Sequence, residues 1–263
     1  MNRKTESEIM HNCMIKYYPD GTSTVLVGES FCFRESGWES ERPREYRRAD
    51  RGGIEDAERA RRRARAAVYD LARSNDFRYF VTLTLDAAVI DRYNISESVK
   101  RLRVWLDNSV RRKGLIYVLI PELHRDGAVH FHGFFNAALD MVDSGTLRTA
   151  GDKRPRKPRS MIQRLQMLDN GAQVVYNIPG YNLGFSTAIE LYGDKLAAIS
   201  YVCKYIGKDS EKIGGRWYYS GGRLQRPVKA WCDIDDVTDF VGDAESFVIP
   251  RLGCRFWKIE TEA

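Results

Sequence analysis

Residues 121–135, PELHRDGAVHFHGFF, place two apolar-rich runs on either side of the segment His124-Arg125-Asp126-Gly127. The pattern predicts a β-hairpin, because strand side chains alternate between faces and Asp-Gly is strong turn chemistry. His130 and His132 then project from one face of the second strand and Phe131 from the other. A three-residue loop of Arg125, Asp126 and Gly127, with the glycine left-handed, pairs His124 with Ala128 and sets Glu122 opposite His130. A tighter two-residue Asp-Gly turn slips the register by one and sends Glu122 to the other face.

Outward from the hairpin, strand and helix periods alternate. FRYFVTLTLD (77–86) alternates as a strand. SESVKRLRVWLDNSVRRKG (96–114) carries Val99, Leu102, Leu106 and Val110 at helical spacing, with basic residues in its last turn and Gly114 as its stop. Residues 54–73 are helical in composition, acids first and arginines later, as the helix dipole favours. Beyond the hairpin, the polar, basic, Pro-bearing stretch near 140–160 reads as a loop or insertion. A short helix near 160–171, strand-like AQVVYNI and GFSTAIELY, and a helix from about Gly193 to Lys208 follow. RWYYSGGRLQRP (216–227) reads as an exposed hairpin, and CMIKYYPDGTSTVLVGESFCFR (13–34) as a hairpin around Pro-Asp-Gly. This order predicts an α+β domain over 54–228, helices packed on an antiparallel sheet, with the basic insertion inside it. An N-terminal extension (1–53, hairpin plus Arg-rich linker) and a C-terminal extension (229–263) flank it.

In the three-residue-loop register Glu122, His130 and His132 share one face. One carboxylate and two imidazoles suit Mg2+ or Mn2+, and the affinity order alone also permits Zn2+ or Co2+. His124 shares Glu122's parity, as an outer partner of those groups or a further ligand. A lone His-x-His is more often surface decoration. Here three of the chain's four histidines fall within nine residues beside a glutamate, which favours a site.

AAISYVCKYIGKD (197–209) spaces two tyrosines and two lysines four apart. At about 100° per residue, Tyr201, Lys204, Tyr205 and Lys208 fall within an arc of roughly 100°, opposite Leu196, Ile199, Val202, Cys203 and Ile206. The apolar side can dock on the sheet while the phenols and ammoniums face outward together. A phenol ionises near pH 10, so it becomes a useful nucleophile only beside a cation or metal. A solvated face of tyrosine and lysine is the plain alternative.

The 263 residues are 43% hydrophobic, enough for one sizeable core, and no apolar run approaches the ~18 residues of a membrane span. MNRKTESEIMHNC has no apolar signal region, and the expected location is the cytoplasm, with no membrane partner. Five cysteines without a C-x-x-C pair fit reduced thiols. The net charge of +6, concentrated in RPREYRRADRGG, RARRRARAA and GDKRPRKPRS, points to a polyanion. No G-x-x-x-x-G-K-[ST] occurs, which excludes a phosphate-loop ATPase in this chain.

Three motifs in order, FVTLTLD, HFHG and YVCKYIGKD, resemble those of the His-hydrophobic-His (HUH) endonucleases, rolling-circle replication initiators of small viruses, phages and plasmids. ELHRDGAVHFH closely resembles the metal motif of geminivirus-type initiators, and YIGKD their single-tyrosine motif. The doubled YVCKYIGK is similar instead to microvirus initiators, which alternate two tyrosines, and filamentous-phage gene II-type proteins are a third relative. The resemblance covers about residues 77–226 and neither end of the chain. It implies a ferredoxin-like (RNA-recognition-motif-like) sheet, Glu122, His130 and His132 as metal ligands, Tyr205 as first nucleophile with Lys208, and Tyr201 with Lys204 as the second. The implied reaction is nicking and joining of single-stranded origin DNA through a 5′-phosphotyrosine, freeing a 3′-hydroxyl primer. Geminivirus-type initiators carry a helicase domain. With no such motif here, a host helicase and a DNA polymerase are the implied partners.

Thr82 and Thr84, on one face of FVTLTLD, are candidate DNA contacts, although threonine also serves strand propensity. Arg216, Trp217, Arg223 and Arg226 interleave charge and aromatic surface suited to single-stranded DNA, or belong to an ordinary packed hairpin. A related transposase or relaxase, and a non-catalytic single-strand-binding module on the same sheet, are the competing functions.

Overall fold

The structure is a computed structural model that describes residues 10–31, 33–34, 54–124, 126–152, 154–191, 195–206, 212–249 and 254–261. In chain order the first elements are β1 (Met10–His11), β2 (Cys13–Tyr17), β3 (Ser23–Gly28), β4 (Phe33–Arg34), α1 (Ile54–Ser74), β5 (Tyr79–Leu85) and α2 (Ile95–Lys113). Then come β6 (Tyr117–Leu123), β7 (Val129–Phe135), β8 (Val142–Arg148), α3 (Met161–Asp169), β9 (Gln173–Asn177), β10 (Gly184–Glu190) and α4 (Lys195–Tyr205). The last are β11 (Tyr219–Gly221), β12 (Val228–Cys232), α5 (Val237–Val241), β13 (Ser246–Ile249) and β14 (Cys254–Thr261). No helix among the described residues is long and apolar enough to cross a membrane. The chain is α+β, in two compact units: Ala57–Gln225, and Met1–Asp56 with Arg226–Ala263.

The larger unit is built on a seven-stranded sheet of order β11-β6-β7-β5-β10-β9-β8, antiparallel at every pairing. β5 and β6 run parallel with β7 between them and α2 crossing over, the split β–α–β arrangement of ferredoxin-like sheets. The alternation of β5 and β7 divides their residues between two cores. Val81, Leu83, Phe131 and Phe135 meet Val99, Leu102 and Leu106 of α2 on one face. On the other, Val118, Ile120 and Phe134 meet Val68 and Leu71 of α1 and Ile199, Val202 and Ile206 of α4. That second face also carries Thr82, Thr84, His130 and His132.

Three expectations are corrected here. The stretch near 140–160 contains a strand, β8, which pairs β9 across a register shift between Asp143 and Thr146. Only Leu147 in β8 is buried, so the run carries almost no apolar alternation to read. RWYYSGGRLQRP is not an exposed hairpin: Tyr219–Gly221 extends the sheet beside β6, Tyr219 is buried with its hydroxyl donating to the Ile213 carbonyl at 3.0 Å, and Trp217 and Tyr218 pack on the core. Leu196, assigned to the apolar side of α4, is exposed.

The other unit holds a five-stranded sheet of order β12-β2-β3-β14-β13 and the short β1–β4 pair. Its core includes Cys13, Val25, Val27 and Val241. The expected β2–β3 hairpin is present, flanked on both sides by strands from the C-terminal segment. The Arg-rich linker lies outside the described residues.

Candidate active site

The turn between β6 and β7 sets the register. His124 donates its N–H to the Ala128 carbonyl at 2.8 Å, and Gly127 sits at φ 87°, the left-handed conformation glycine adopts without strain. Glu122 therefore pairs with His130, and Ile120 with His132. Pro121 is tolerated in β6 because alternate residues bond to β7 and its missing donor faces the other edge. There β11 has already ended opposite Leu119. Behind the histidines, Gly133 admits the close approach of β6: a Cβ there would lie 1.9 Å from the Val118 carbonyl oxygen.

Each imidazole is held at Nδ1 by a threonine of β5, Thr82 to His132 at 3.1 Å and Thr84 to His130 at 3.3 Å. This is where the structure places the two threonines. Glu122 Oε2 lies 2.9 Å from Nε2 of His132, both side chains largely buried. His124 stacks on His130 with centroids 5.2 Å apart, and its Nδ1 lies 3.2 Å from Asp126 Oδ1. Burial, then the neighbouring His124 and His132, hold the His130 pKa below its ordinary value, keeping the ring neutral.

Among the described residues, no three His, Cys, Asp or Glu side chains stand as a finished metal-holding group. Glu122 closes on His132 instead. The donor set nevertheless fits a divalent ion in kind: one carboxylate and two imidazoles on one sheet face, each ring oriented through Nδ1 as the outer partners of metal-bound histidines do.

The tyrosines come from α4, whose last carbonyl turn is held by Arg65 of α1 donating Nε–H to the Ile206 carbonyl at 2.9 Å. Tyr205 stacks on His132 with centroids 4.6 Å apart and ring planes 14° from parallel. Tyr201 is hydrogen-bonded to Tyr205, oxygen to oxygen at 2.7 Å, and lies edge-on to Phe80. Burial, then the Tyr201 hydrogen bond and the charges of Tyr201 and Glu122, push the Tyr205 phenol well above its ordinary value. The charge of Arg148 draws it back down. Sequence reading missed Arg148 because its strand was taken for a loop, and missed Phe80, which stacks on His132 at 6.4 Å. A register count across β10, β9 and β8 would place Arg148 on this face.

Lys204 is exposed beside the tyrosines, and Lys208 lies outside the described residues. Arg216, Arg223 and Arg226 are exposed. Trp217 is half-buried under the Arg61 guanidinium, 5.7 Å from its ring centroid, away from any base-stacking surface.

An antiparallel sheet with a histidine pair facing a tyrosine helix, in a strongly basic chain, defines a replication-associated class of α+β protein. Residues 78–210 match the family model of the replication-associated protein ORF2/gene II protein, and the chain belongs to that family, which fits a rolling-circle replication initiator. No curated protein and no solved structure matches it.

Proposed function

We propose that this replication-associated protein initiates rolling-circle replication by nicking and rejoining single-stranded origin DNA with Tyr205 as the nucleophile. One observation carries the reading: the Tyr205 ring lies 4.6 Å from the ring of His132, which is itself 2.9 Å from Glu122. A phenol beside two imidazoles and a carboxylate has the parts for attack on a phosphodiester, where a packed core would need none of them. The Tyr205 oxygen forms a bond to phosphorus, the bond to the 3′-oxygen breaks, and the DNA keeps a 5′-phosphotyrosine link and a free 3′-hydroxyl. Reversal by a later 3′-hydroxyl joins the ends.

Glu122, His130 and His132 would hold Mg2+ or Mn2+, which when bound supplies Lewis-acid stabilisation of the scissile phosphate. Thr82 and Thr84 orient the rings, and Tyr201 holds the Tyr205 hydroxyl. Arg148 and Lys204 supply positive charge that favours the phenolate. Tyr201 is also the candidate for a second cleavage. A host helicase and polymerase would open and extend the strand.

The test is covalent capture. Protein incubated with Mn2+ and labelled single-stranded DNA from its own replicon forms an adduct that mass spectrometry maps to Tyr205, and Tyr205→Phe loses it while still binding DNA. Binding without an adduct on any tyrosine, with or without Mn2+, would mean a non-catalytic single-strand-binding module.

A further inference from the structure

Phe185 is unused by the reading above, and its position is informative. It lies on β10, where its neighbours Ser186 and Ala188 turn inward and are buried, while its own ring is 67% exposed. The pairings place it in one cross-strand row with the site: Phe185 faces Thr84, Thr84 faces His130, and His130 faces Glu122. At a strand spacing of ~4.8 Å, Phe185 stands about 10 Å from His130 on the same face. A single exposed aromatic is ordinary on a protein surface, so exposure alone decides nothing. The charge around it decides more.

Farther along this face, Arg148 ends β8, and its charge reaches Tyr205. Arg156 pairs with Leu147 and so lays the basic segment against the outer side of β8, where Arg154, Lys157 and Arg159 are exposed. From the histidines outward the face thus presents an open aromatic ring and then cations. Bases stack on such rings without hydrogen-bond readout while phosphates find the cations. We infer that Phe185 is the stacking platform for a base of single-stranded DNA lying on this sheet face, beside the phosphate that the proposed Tyr205 chemistry would cut. The inference takes its direction from that nuclease reading, but its binding prediction does not need cleavage.

The test uses the full chain in EDTA, so that no nicking intervenes, with a fluorescein-labelled oligothymidylate of about 20 nucleotides read by anisotropy. Phe185→Ala should raise Kd by about 5- to 150-fold, the range of one lost base–aromatic stack, and Phe185→Trp should restore it to within about twofold. An oligonucleotide carrying 5-iododeoxyuridine should photocrosslink to the peptide containing Phe185. Unchanged affinity in Phe185→Ala overturns the inference. So does a Phe185→Ala variant that loses self-association in sedimentation while its DNA affinity stays the same, since the ring would then belong to a contact between copies. Running the Tyr205 adduct assay beside it separates the two readings: an adduct with unchanged Phe185→Ala binding sinks only the platform, and a platform without an adduct sinks only the nuclease.

Discussion

The hydroxyl of Tyr201 restrains the hydroxyl of Tyr205 in a way that a substitution can isolate. The hydrogen bond and charge of Tyr201 help raise the Tyr205 pKa, behind burial as the largest cause. Tyr201→Phe removes that contribution, so Tyr205 ionises at a lower pH and the rate of adduct formation should reach its plateau at lower pH than in the parent. A single-turnover pH profile checks it; a profile moved upward would show that Tyr201 assists the phenolate. Thr82 offers a second handle. Its hydroxyl fixes Nδ1 of His132, and outer partners of this kind are worth about 10- to 100-fold in metal affinity. Thr82→Val, nearly the same shape without the hydroxyl, should weaken Mn2+ binding by that factor in calorimetry while leaving the melting temperature close to the parent's. Cys203, one turn of the same helix away, should resist alkylation at pH 8 in the folded protein, because burial pushes its thiol up to about 11. Mass spectrometry after brief iodoacetamide treatment reads this directly.

The β6–β7 hairpin is the element that delivers the site, and its geometry was largely legible because each step had a local cause. Asp126-Gly127 demanded a left-handed residue, His124 then had one pairing partner, and strand parity placed Glu122 with His130. α2 was legible for the same reason, with Val99, Leu102 and Leu106 at helical spacing and all buried. β8 was not, because an edge strand with one buried residue has no period to detect. The aromatics of 217–219 were misplaced because Trp and Tyr suit a stacking face and a core equally, and only tertiary packing distinguishes them. The hairpin also makes a sharp prediction at Gly133, where β6 leaves no room for a methyl group. Gly133→Ala should cost about 3 kcal/mol or more in chemical denaturation, the upper range for overpacking, whereas a change at exposed Arg223 should cost almost nothing.

The chain is interrupted rather than simply extended. Residues at both ends form one five-stranded sheet, and the sheet that carries the histidines and tyrosines is strung between them in sequence. A reading by linear motif treats the two ends as separate appendages, since nothing local to either announces that β12 pairs β2 and β14 pairs β3. The arrangement predicts an asymmetric response to truncation. Deleting 226–263 removes β12, β13 and β14 and leaves β2 and β3 of that sheet, an isolated hairpin that is marginal in water. The core residues Val25 and Val27 then lose the cover of α5 and β14. The seven strands of the other sheet all lie within Ala57–Gln225 and lose no partner. Limited trypsin digestion of the truncated protein should therefore strip the first fifty-odd residues at its arginines and stop at a stable core. That core should still form the Tyr205–DNA adduct if the proposed chemistry is right, and loss of the core itself would show that the two units fold as one.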